Sequence, residues 1–231
     1  MKKSNIIISI LSILLLAGII IRTNKDAANE YNINTISNKK LNEIVVGAFN
    51  KIEVSGGIAA NISGGNTQKV MFFVNNGNKN AIPEIKVLDS TLYVVATKTE
   101  KSGKAFVSIK IPKISSVVAK NVNSLKIDSL NLDTLTIIST NSTIKTKQLN
   151  CKSLRLEITD SAYFKGDNSD IGLLTITAKS HSRVKIFNFS AKNLKCGFYD
   201  YSTLSVEGII EKSNIFADST SSCNKYHYPR K

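Results

Sequence analysis

The 231-residue chain has no tryptophan, two histidines, three cysteines and three prolines. Metal centres need several ligating side chains at close spacing. His181, His227, Cys151, Cys196 and Cys223 are scattered along the sequence, so neither a metal nor another cofactor is expected. Three cysteines cannot all pair within one chain, and free structural thiols are the expectation. No segment carries helical spacing, which excludes βαβ units. Ser55-Gly-Gly57 and Ser63-Gly-Gly65 are followed by neither a helix start nor Lys-Ser/Thr, which excludes a phosphate cradle. They punctuate an alternating strand from Ile58 to Ile62 instead.

What is present is a repeat. Leu135, Leu154, Leu174 and Leu194 each open a similar passage, at steps of 19, 20 and 20 residues. Within each passage apolar residues alternate, as in Leu154, Leu156 and Ile158, then comes a small polar corner and a second alternating piece such as Val184 and Ile186. Alternation is the period of a strand with one buried face. A fixed period of this size marks stacked units that bury a continuous core only together. The pattern predicts an all-β, single-domain β-solenoid, similar to a parallel β-helix, with rungs of 19–20 residues. Two inward ladders follow: Ile137, Leu156, Ile176 and Cys196; and Ile144, Phe164, Val184 and Leu204, which Cys223 extends. At the corner Asn141, Asp160, Ser180 and Asp200 form a polar column, with Ser142, Ser161, His181 and Tyr201 beside it. Such residues satisfy local backbone groups at turns.

Met1-Lys-Lys3 precedes an apolar run from Ile6 to Ile21 that ends at Arg22, the pattern of an export signal. Residues 1–22 fit both a cleaved signal peptide and an N-terminal membrane anchor. No cysteine follows the run, so a lipid-attachment signal is missing. Residues 23–43 read as a flexible tether, 44–223 as the solenoid and 224–231 as a C-terminal tail. Export puts the chain in the periplasm or at the cell surface, secreted or anchored. The formal charge is +14; without residues 1–31, which hold four cations and two anions, it is +12. That balance favours an anionic partner such as acidic polysaccharide, lipid head groups or another envelope component, and export argues against nucleic acid. The oligomeric state is not legible.

Along the chain, Phe49–Val54 reads as an opening strand, Val70–Val74 as a fully apolar one, and 75–80 and 98–104 as polar loops. Ile85–Val87, Leu92–Ala96 and Ala105–Ile111 continue the strands. From Ile114 the repeat register takes over, with Val118, Leu125 and Ile127 as an imperfect first pass, and 214–223 is a last, more polar one. Phe49-x-x-Ile-x-Val-x-Gly-Gly, Leu88-Asp-Ser-Thr-Leu-Tyr-Val, Val107-Ser-Ile-Lys-Ile-Pro112 and the recurring Leu-x-Ile-x-x-x-x-Ser passages resemble the autotransporter adhesin head (GIN domain) family over residues 44–223. The resemblance implies a bacterial envelope protein with an export signal, a solenoid-like domain and a surface or adhesive role. The Ser-Gly corners common in that family are Asn141-Ser142, Asp160-Ser161 and Asp200-Tyr201 in this chain, and its Tyr-x-Gly ending is Tyr226-His-Tyr228.

The candidate ligand-contact corner is Asp160, Tyr163, His181, Tyr199, Asp200 and Tyr201. Tyrosines there can stack on sugar rings, in a binding module without chemistry. Parallel β-helices also host polysaccharide lyases and hydrolases, and Asp160 and Asp200 lie two rungs apart, about 10 Å at ordinary strand spacing. No third acid joins them and small corners form no cleft, so no catalytic residue is assigned. The reading is a non-enzymatic envelope or surface module; the alternatives are a carbohydrate-active enzyme and a structural spacer.

Overall fold

The computed structural model describes residues 41–74, 82–96 and 105–227, with side chains to Asn224. The signal or anchor, most of the tether, the loops at 75–80 and 98–104, and the last four residues of the tail lie outside the described residues. Residues Lys40–Lys231 form one compact unit.

Every described element is a strand. The first eight are short: β1 (Asn42–Ile44), β2 (Lys51–Ser55), β3 (Ala59–Gly64), β4 (Lys69–Val74), β5 (Glu84–Leu88), β6 (Thr91–Val95), β7 (Ala105–Ile111) and β8 (Ser116–Lys120). Long, cornered strands follow: β9 (Ser124–Thr140), β10 (Thr143–Thr159), β11 (Tyr163–Ala178), β12 (Arg183–Phe198) and β13 (Thr203–Ala217), then short β14 (Ser222–His227). β9 to β14 pair in parallel, each with the next. This is the β-solenoid that the repeat predicts. β1 takes up Asn42 and Glu43, which composition assigned to the tether, and β14 reaches into the tail as far as His227.

The spacing of buried residues gives the rung its shape. In β10 the buried positions are Ile144, Thr146, Leu149, Cys151, Leu154, Leu156 and Ile158. Steps of two are interrupted by steps of three at 146–149 and 151–154. A strand keeps its inward face only at even spacing, so each odd step marks a bend. Pairing lapses at the same places, around Gln148 and Lys152, and at the corner after Thr159. The rung therefore has three sides: a first face at 143–147, a short second face at 149–151 and a third face at 153–159.

Both predicted ladders are present. Ile137, Leu156, Ile176 and Cys196 pair in succession, as do Leu125, Ile144, Phe164, Val184, Leu204 and Cys223. Cys151 stands on a further inward ladder between Leu132 and Ile171, and burial pushes its thiol up to about 12. Cys151 and Cys196 are buried and Cys223 is half-buried. In the first pass the inward residues are Val117 and Ala119; Val118 faces outward.

The corner between the third and first faces is held by non-glycine residues at positive φ: Asn121, Asn141, Asp160, Ser161, Ser180, His181, Asp200 and Tyr201. Asn, Asp and Ser tolerate this region. Rung-to-rung backbone bonds secure it, with the Ser161 amide donating to the Ser180 carbonyl and the His181 amide to the Asp200 carbonyl, both at 2.8 Å. Ser142 is not the neighbour of Ser161. It lines up with Ala162, Ser182 and Ser202 one position further on, all buried. The reason is an extra corner residue from β11 onward, which turns the step from 19 to 20. Ser142 Oγ accepts from the Val122 amide at 2.9 Å and donates to the Thr140 carbonyl at 2.8 Å.

Candidate functional site: an exposed corner and a groove

Rungs hold the predicted corner residues on one edge. Asp160, His181, Asp200 and Tyr201 are exposed, and Tyr163 and Tyr199 are half-buried. The left-handed pairs turn side chains outward, so His181 and Tyr201 on neighbouring rungs stack at 5.2 Å between ring centres, 15° apart in plane. Tyr201 remains 60% exposed. Tyr199 lies 5.6 Å from the Phe216 ring at a tilt of 39°, and the Lys179 ammonium stands 5.5 Å from the Tyr199 centre. Phe216 is 55% exposed; it belongs to this aromatic edge and the sequence reading passed over it. Burial raises the Tyr163 hydroxyl pKa, against the opposing charge of Arg183.

Asp160 and Asp200 are separated by the rung carrying Ser180, which places them about 10 Å apart at ordinary strand spacing. That lies beyond the roughly 6.5 to 9.5 Å that inverting glycosidases use and well beyond the roughly 5 Å of retaining ones. Below Asp200 the last corner is pinned by Asp218, whose Oδ2 accepts from the Asp200 amide at 2.8 Å and whose Oδ1 accepts from the Thr220 amide and hydroxyl. These bonds, led by the one from Asp200, bring the Asp218 carboxyl down to about 2. Among the described residues, no cluster of three or more His, Cys, Asp or Glu could hold a metal ion.

A second feature lies along the short face. A groove of about 580 Å³ runs past Asn131 to Thr134, Asn150 to Lys152, Asp170 to Gly172 and Lys192, walled by Lys113, Ile114, Ser115 and Asn50. Along it runs an outward column of paired polar residues, Asn131, Asn150 and Asp170, which Ser190 continues on the next rung beyond the groove. Asn150 Oδ1 accepts from the Asp170 amide at 3.3 Å, and Ser190 Oγ donates to Asp170 Oδ1 at 2.5 Å. Lys152 Nζ lies 2.7 Å from Asp133, which lowers the Asp133 carboxyl pKa and raises that of the Lys152 ammonium. None of the six corner residues lines this groove. Its sequence signal was the 19- and 20-residue spacing of Asn131, Asn150 and Asp170, the same spacing as the leucines.

Stacked parallel rungs with an exposed aromatic edge and a polar groove make a β-solenoid domain. The chain belongs to the family described as "Putative auto-transporter adhesin, head GIN domain", whose model matches residues 48–216. Among solved structures, a putative adhesin from Bacteroides fragilis NCTC 9343 superposes with a TM-score of 0.61 at 14% identity, covering 80% of this chain and 97% of that one. That likeness shows the fold. A putative lipid binding protein from Parabacteroides distasonis ATCC 8503 (TM-score 0.48, 11% identity, 80% and 96% covered) and a putative adhesin from Parabacteroides merdae ATCC 43184 (0.38, 16%, 81% and 96%) superpose more loosely. No curated protein matches the sequence.

Proposed function

We propose that the chain is an exported cell-envelope module that binds its partner without transforming it. In this reading residues 1–22 direct export or anchor the chain, 23–43 tether it, and the solenoid, with its tail from 224, displays the binding edge in the periplasm or at the cell surface. The partner is an anionic polysaccharide or another envelope component. The adhesin character of the family supports the surface role, and a net charge of +14 supports the sign of the partner.

The observation that carries the proposal is the open aromatic corner. His181 stacked on Tyr201, with Tyr199 and Phe216 beside them, offers ring faces to solvent on a backbone locked by rung-to-rung bonds. Flat apolar rings with a polar edge suit the faces of sugars. Asp160 and Asp200 flank the rings as hydrogen-bond acceptors.

Binding of the full chain, held in mild detergent, to a glycan array tests this. Saturable binding that falls in Tyr199→Ala/Tyr201→Ala and survives Asp160→Asn/Asp200→Asn is expected. Turnover of an acidic glycan that disappears in the double Asn variant would put a carbohydrate-active enzyme in its place. No saturable binding to any glycan would leave a spacer.

A further inference from the structure

We propose that the groove along the second face is the track for an extended anionic polysaccharide, which lies parallel to the stack and sets its acid groups against Lys152 and Lys192. The inference deepens the binding reading above and rests on it, but not on the aromatic corner.

The groove repeats with the rungs. The Ser115 carbonyl accepts from the Thr136 amide, so the wall at 113–115 sits one strand before the third face of β9, and the lining continues through β10 and β11 to Lys192 of β12. Four steps at strand spacing give about 19 Å of length, which suits a chain of sugars better than a single one. The wall is fixed, because the Ser115 amide and hydroxyl both donate to the Asn50 carbonyl, at 2.9 and 3.1 Å.

Two columns run side by side along it. Asn131, Asn150 and Asp170 present amide and carboxylate groups once per rung, a register suited to hydroxyls that recur along a polymer. At the adjoining corner the successive residues are Asp133, Lys152, Gly172 and Lys192. A Cβ on Gly172 would stand 2.5 Å from the Lys152 carbonyl oxygen, so the close approach of the rungs excludes a side chain there. The result is a gap between Lys152 and Lys192, about 10 Å apart along the stack, so that successive acid groups of a polymer can each face one of the two lysines.

Charge and lining favour an anionic sugar polymer. Lys113, Lys152 and Lys192 face Asp133 and Asp170; Lys152 is paired with Asp133, and one Asp170 oxygen is taken by Ser190. None of the described residues lining the groove is aromatic, so it lacks the platforms on which single-stranded nucleic acids stack their bases.

The test is titration of the full chain in mild detergent with three polymers: polygalacturonate, polyglycerol phosphate and neutral dextran. Carboxylate and phosphate present the same charge to lysine, so the first two arms separate the sources. Tighter binding of at least one anionic polymer than of dextran is expected. Lys152→Gln/Lys192→Gln should weaken it about tenfold, Arg at both positions should restore it, and added salt should weaken it. Anionic binding unchanged in the Gln pair, or dextran binding equally well, overturns the assignment. If the Gln pair binds normally while Tyr199→Ala/Tyr201→Ala does not, the groove is wrong and the corner reading stands. If neither these polymers nor any arrayed glycan binds, both fall together.

Discussion

The two ends of the folded region use the same core differently. From β9 onward each strand pairs with the one that follows it, so sequence neighbours are spatial neighbours. Before β9, among the described strands, this holds only for the β5–β6 hairpin and for β8 against β9. β2 lies between β6 and β8, and β3 lies between β7 and β9. The levels therefore run β6 and β7, then β2 and β3, then β8 and β9. β4, β1 and β5 add antiparallel strands at the outer side. These early levels continue only the first and third faces of the later rungs; the second face begins with β9, and the groove runs along it from the wall at 113–115. A core can thus be continuous in space without being periodic in sequence.

Four perturbations probe that contrast. Phe164 is fully buried on a ladder between Ile144 and Val184. Phe164→Ala should cost about 3–5 kcal/mol in urea unfolding. Because rungs support one another through neighbours, amide exchange should quicken first in β10 and β12 and last in β4. Leu88→Ala, in an exposed hairpin position of the outer strands, should change stability by less than about 0.5 kcal/mol. Uniform loss of protection after Phe164→Ala would erase the distinction between the regions.

Gly64 stands at the seam. A Cβ there would come within 2.2 Å of the Ser129 carbonyl oxygen on β9. Gly64→Ala should cost about 1–3 kcal/mol by forcing the strands apart, with the β3–β9 amides exposed in exchange measurements while β12 and β13 keep their protection.

The far end responds to acid. The Asp218 carboxyl is held down at about 2, against an ordinary 3.8, mainly by the Asp200 amide. A lowered pKa means that the charged form is the one the fold favours, so its contribution is complete above about pH 4 and disappears as pH falls towards 2. Asp218→Asn should therefore melt lower than the parent at pH 6 and converge with it near pH 2. A gap that persists unchanged at pH 2 would contradict this.

The smallest effect is chemical. With its thiol pushed up to about 12 by burial, Cys151 should resist alkylation at pH 8 in the folded protein, whereas half-buried Cys223 on the terminal rung should react first. Mass mapping of labelled peptides reads the order.

These regions also differ in what a sequence reveals. Leu156 and Ile176 could be aligned by eye because one rung separates them in both sequence and space. No such reading orders Leu92, Ile52 and Val117, where Ile52 pairs with partners 40 and 65 residues away. The corner was legible as a column because Asp and Asn mark left-handed turns, yet Ser142 was placed beside Ser161 because the added corner residue shifts the count. The aromatic corner stood out through Tyr199 and Tyr201, whereas Phe216 did not, since burial cannot be read from one apolar residue in a polar last pass. The groove was hidden for a different reason. Outward Asn and Lys look like ordinary solvated positions until the steps of three at 146–149 and 151–154 reveal a short face that gathers them.

The central claim, that rungs stack directly in register, is tested by spin labels on the outward column Lys126, Lys145, Lys165, Lys185 and Ser205, which pair in succession. Labels at 126 and 205 should lie about 19 Å apart, four strand spacings. Moving the second label to 185 should shorten the separation by about 4.8 Å. A distance that fails to fall with each rung removed, as antiparallel hairpins would give, contradicts the stack and with it both proposed binding surfaces.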